Sequence, residues 1–74
     1  MIKLLEFLTQ LEQHKIHYTL EHNREEAVMV LIAVPGERWE VEFFANGDVE
    51  VEVFRSSGMS GSETLERLFQ EFSD

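Results

Sequence analysis

A chain of 74 residues with a formal net charge of −9 and no cysteine narrows the possibilities at once. It is long enough for one domain and too short for two, and a domain of this size buries only about 60% of its unfolded surface. Without cysteine, disulfides and thiolate zinc sites are excluded, so stability must come from dense packing or from association with another chain. The acidic balance argues against nucleic acid and anionic membranes as partners. Phosphate recognition takes clustered lysine and arginine, and the six such residues here are scattered from Lys3 to Arg67. A basic protein, a cation, or no charged partner at all fits better.

Ile2, Leu4, Leu5, Leu8 and Leu11 recur at helical spacing, with Phe7 widening the stripe, and this predicts a helix over Ile2–Lys15. Glu6 interrupts the apolar run and no small-residue cleavage site follows it, so the segment reads as an amphipathic helix and not as a signal peptide. The period then changes to two. Ile16, Tyr18 and Leu20 alternate with His17, Thr19 and Glu21, which predicts a strand with one buried face, and His22–Glu25 reads as a polar turn. Ala27–Val34 is almost continuously apolar and β-branched, and predicts an inner strand covered on both faces. After the Pro35-Gly36 turn, Trp39, Val41 and Phe43 alternate with Glu40 and Glu42. After Ala45-Asn46-Gly47, Val49, Val51 and Val53 alternate with Glu50 and Glu52.

Ser60-Gly61-Ser62-Glu63 has the form of a capping box, and Leu65, Leu68, Phe69 and Phe72 continue it as a helix to about Ser73. No run approaches the ~18 apolar residues of a membrane span. With the missing cysteine, this suits a cytoplasmic protein.

Burial fixes the register. A two-residue Asn46-Gly47 loop would set Phe43 against Glu50 and Val41 against Glu52. A three-residue Ala45-Asn46-Gly47 loop instead pairs Phe43 with Val49, Val41 with Val51 and Trp39 with Val53, with Gly47 in the left-handed conformation of a bulge. A one-residue slip exchanges the faces of a strand, so the three-residue loop is expected. At Pro35-Gly36, setting Val34 opposite Glu37 brings Val30 to Val41 and Ile32 to Trp39. Tyr18 and Leu20 can join that apolar face, and it is the only one available to seat two amphipathic helices. The expected fold is an α+β two-layer sandwich. A four-stranded antiparallel meander carries both helices on one face, in the order α-β-β-β-β-α.

The reverse face carries the candidate site. The same register sets Glu40 opposite Glu52 and Glu42 opposite Glu50, beside Met29 and Leu31, with Phe44 and Phe54 at the ends. Facing like charges cost a few tenths to about 1 kcal/mol per pair. An apolar centre flanked by acids suits protein binding, whereas a bland reading makes the acids a solubilising, edge-blunting surface. A divalent cation would want more converging oxygens than alternating strand glutamates supply. General acid–base work needs a cleft that separates two carboxyl pKa values, which an open sheet lacks. His14, His17 and His22 match no metal spacing, and Ser56, Ser57, Ser60 and Ser62 have turn and capping duty. No catalytic residue, cofactor or metal is expected.

The stretch Val34-Pro35-Gly36-Glu37-Arg38-Trp39-Glu40-Val41-Glu42-Phe43-Phe44, followed by Asn46-Gly47 and the Val/Glu alternation, resembles small uncharacterised bacterial proteins of similar length. Some such acidic α+β proteins are similar to immunity proteins that neutralise secreted toxins. The resemblance implies a bacterial, cytoplasmic, protein-binding module. A homodimer whose open sheet faces pack together is the alternative.

Overall fold

The structure is a computed structural model that describes residues 2–56, 58, 60–61 and 65–72. Helix α1 spans Ile2–Gln13. Strands β1 (Tyr18–Arg24), β2 (Ala27–Val34), β3 (Glu37–Phe44) and β4 (Val49–Arg55) follow, then a two-residue β5 (Ser60–Gly61) and helix α2 (Leu65–Phe72). The strands form one antiparallel meander in the order β1-β2-β3-β4-β5. The α+β class and the α-β-β-β-β-α order are as expected. Strand β5 adds a short fifth rung, pairing Gly61 with Val53 and Ser60 with Phe54.

The predicted register holds at both inner hairpins. Val34 faces Glu37, Ile32 faces Trp39 and Val30 faces Val41. Across the next pair, Trp39 faces Val53, Val41 faces Val51 and Phe43 faces Val49. The β3–β4 loop is the three-residue one, with Gly47 at φ +98° and the Phe44 amide donating to the Asp48 carbonyl at 2.9 Å. Gly36 has φ +78° after Pro35, the geometry a type II turn demands of its third residue.

One sheet face and both helices enclose the core. Trp39, Val30, Ile32, Val41, Val53, Leu11 and Leu68 are fully buried, each stabilising by about 1.5–3 kcal/mol for a side chain of this kind. Phe7 of α1 lies 5.4 Å from the Phe43 ring and 5.9 Å from Phe69 of α2. Arg67 of α2 lies over the Trp39 ring at 5.0 Å. Phe43 and Trp39 point to the same side of β3, so the two helices share that side.

Several boundaries differ from the sequence expectation, each for a local reason. Helix α1 stops at Gln13, not Lys15, because Lys15 adopts φ +58°. The Ile16 amide then donates to the Leu11 carbonyl at 2.9 Å and the Lys15 amide to Glu12 at 3.2 Å, the paired bonds of a Schellman cap. Ile16 is therefore buried against the helix end and not in a strand. The turn predicted at His22–Glu25 shrinks to Glu25-Glu26, because β1 continues to Arg24 through an irregularity after Glu21 and Arg24 pairs with Ala27. Leu20 has the predicted parity but is 49% exposed, since β1 is the sheet edge. Strand β2 is covered on one face only: Met29 and Leu31 are half-buried and Ala33 is exposed. The capping box at Ser60 and Glu63 lies outside the described residues.

Candidate functional site

The face away from the helices is built by the alternate residues of four strands. One row across the sheet reads Thr19, Leu31, Glu40, Glu52, and the next reads Glu21, Met29, Glu42, Glu50. Arg38 and Phe54 close one end of the face, and Ala27 and Phe44 the other. All eight residues expected to form a contact surface therefore lie on this face, with Glu40 opposite Glu52 and Glu42 opposite Glu50. A shallow hollow of about 620 Å³ brings Met29, Glu40, Glu42, Glu50 and Glu52 together with Arg24. Leu31, Phe44 and Phe54 stand outside that hollow.

The apolar members are less exposed than an open sheet suggests. Met29, Leu31, Phe44 and Phe54 are all half-buried. Phe54 is sheltered by the Arg38 guanidinium, 4.9 Å from its ring centre, a cation–π contact. Ala27 beside Phe44 is buried.

The charges divide by strand. Arg24 approaches Glu42 at 3.7 Å and Arg38 approaches Glu40 at 3.6 Å. Each arginine is more than half exposed, so either pair contributes at most about 1 kcal/mol. Among the described residues, the ion pairs of this face go to the two β3 glutamates. Glu50 and Glu52 on β4 are exposed. The sequence could have signalled the Arg38–Glu40 proximity through the strand period of two, which puts both on one face. The Arg24 contact depends on the β1 irregularity and had no such signal.

A different constellation lies on the covered face, and sequence reading missed it. The Glu37 carboxylate accepts from Trp39 Nε1 at 3.0 Å, from Arg55 Nε at 3.1 Å and from Arg67 at 2.8 Å. Arg67 also pairs with Glu71 one turn on. Burial by itself pushes the Glu37 carboxyl up. The hydrogen bonds from Arg67 and Trp39 and the charges of Arg67 and Arg55 outweigh it, so its pKa lies below the ordinary value. With every partner supplied by the chain itself, this cluster clamps α2 to β3 and β4.

The histidines do not converge. His17 and His22 are exposed, while His14 is half-buried with its ring 4.9 Å from Phe69. Among the described residues no three histidines or carboxylates are placed to hold a metal ion. A second hollow of about 230 Å³ lies between the start of α1 and the β3–β4 turn, lined by Leu4, Phe43, Phe44 and Val49, with Lys3 donating to the Gly47 carbonyl at 3.5 Å. No helix of the described residues is long and apolar enough to cross a membrane. No protein-family model matches the chain, and neither the curated proteins nor the solved structures contain a match.

Proposed function

We propose that this protein is a non-catalytic interaction module that binds a basic protein through the outer sheet face. Glu40, Glu42, Glu50 and Glu52 would meet the partner's cations, and Met29, Leu31, Phe44 and Phe54 would be desolvated around them. One observation carries the reading. Two facing glutamate pairs, which work against the sheet, are kept side by side on an open face whose two arginines relieve only the β3 members. A cost to folding placed at an accessible, partly apolar surface is what a binding site is expected to show. Electrostatic complementarity of this kind chiefly speeds association and selects partners. An immunity-type role, in which the acidic face occludes a basic toxin site, is the specific version that the resemblance suggests.

The alternative, two copies packed through these faces, is less well supported. It would bring Glu21, Glu40, Glu42, Glu50 and Glu52 of each copy together, while Arg24 and Arg38 are already engaged. Catalysis is disfavoured because the hollow is an open sheet face, whereas acid–base work by paired carboxylates takes a cleft.

A peptide of alternating lysine and valine serves as a probe. Its affinity should fall steeply between low and high salt, and a Glu50→Lys/Glu52→Lys variant should bind at least about tenfold more weakly. Affinity that ignores both salt and the double substitution would remove the reading.

A further inference from the structure

The strand edge opposite β5 carries a separate signal. Among the described residues, β1 pairs on one side only, with β2. Exposed edges of this kind template pairing with another chain. The same edge holds one of the two large apolar side chains exposed among the described residues, Leu20 at 49%, and the other, Leu5 at 63%, lies on α1. Leu5, Leu8 and Glu12 follow one line along α1, and the Tyr18 hydroxyl donates to Glu12 at 2.6 Å, so that line is turned toward β1.

We propose that two copies of this chain pair antiparallel along β1, about a two-fold axis at Thr19. Charge and register select both the partner and the axis. The ladder of β1 is regular only from Tyr18 to Glu21, because the irregularity follows Glu21. An axis at Glu21 would set that carboxylate against its own copy. An axis at Leu20 would draw His22, inside the irregularity, into the ladder opposite Tyr18. At Thr19 the pairs are Thr19 with Thr19 and Tyr18 with Leu20 twice, all inside the regular ladder, and His17, which precedes the strand, would come next to Glu21. No like charges face each other, and the residues that match are those of this same edge. Threonine pairs are among the favourable cross-strand combinations, and Tyr18 opposite Leu20 buries apolar surface.

Leu20 of each copy is then covered by the other copy's Tyr18, beside the Leu5–Leu8 line. Facing residues in such a ladder must share a side, so the axis stands normal to the sheet and both acidic faces look the same way. This interface does not rest on the function proposed above. It would present two copies of that face to one partner.

Sedimentation equilibrium of the intact chain should show a monomer–dimer equilibrium at micromolar concentration, with Leu20→Glu raising the dissociation constant at least about tenfold and leaving the melting temperature almost unchanged, since Leu20 is half exposed already. The absence of native cysteine permits a sharper test of register. Facing residues place their Cα atoms about 4.5–5.5 Å apart, within disulfide range. Thr19→Cys should therefore oxidise to a covalent dimer, and Glu50→Cys on the outer face should not. A chain that stays monomeric with Thr19→Cys no more cross-linked than Glu50→Cys overturns the proposal. So does a dimer dissociated by Leu31→Glu and indifferent to Leu20→Glu.

Discussion

Glu37 and Glu42 stand on the same strand and face opposite sides of the sheet, and their surroundings are as different as one residue type allows. Glu37 lies under α2 with three N–H donors around its carboxylate, two of them from arginines. Glu42 faces another glutamate, Glu50, and has one partly exposed arginine at 3.7 Å. Charge on the helix side is neutralised within the chain and holds the helix down. Charge on the outer side is only half neutralised, and the surplus lies on β4. The same residue type thus has two different surroundings at positions that differ only in parity along a strand.

The largest effect that would break this comparison is loss of its apolar support. Trp39→Ala removes a fully buried indole and the surface on which Arg67 stacks, and should cost about 3–5 kcal/mol in urea denaturation. For a domain this small, that is much of the total stability. Next comes the clamp itself. Glu37→Ala leaves Arg67 and Arg55 facing a gap and should cost about 1–3 kcal/mol, with α2 the first element to lose amide protection.

The clamp also has a pH signature. The folded-state pKa of Glu37 is depressed, so its contribution is complete above the ordinary carboxylate value of 4.5 and is lost as pH falls through the lower folded value. Wild type should therefore lose stability faster than Glu37→Gln on acidification below about 4.5, and parallel acid limbs would contradict the clamp.

The outer face should respond with the opposite sign. Glu52→Lys turns the like-charged pair with Glu40 into an unlike one and should stabilise the fold by about 0.2–1 kcal/mol while weakening a basic ligand. Lys15→Gly should give a comparable gain, about 0.5–1 kcal/mol by thermal melting, since φ +58° suits glycine and strains lysine.

Most of the sheet was legible because hydrophobic alternation and turn chemistry constrain each other. At Ala45-Asn46-Gly47 the common two-residue loop would have buried Glu50 and Glu52, and burial outranked turn statistics. Less was legible where geometry overrides local pattern. Ile16 alternates with Tyr18 as a strand residue should, yet it belongs to a helix cap closed by a left-handed lysine. Leu20 keeps the parity of the core but lies at an edge, and parity alone does not tell whether a helix lies above. That eight residues share the outer face was legible because register alone determines it. The Glu37 clamp was not anticipated, because it joins residues 30 positions apart whose side chains meet only once α2 has docked.

Backbone amide NMR of the isotope-labelled chain, titrated with the lysine–valine peptide, tests most directly the claim that the two sides of the sheet have separate tasks. Shifts concentrated at Met29, Leu31, Glu40, Glu42, Glu50 and Glu52, with Trp39, Val41 and the α2 amides unmoved, are the predicted result. Shifts centred on α1 and α2, or spread evenly over every exposed carboxylate of the chain, would contradict it.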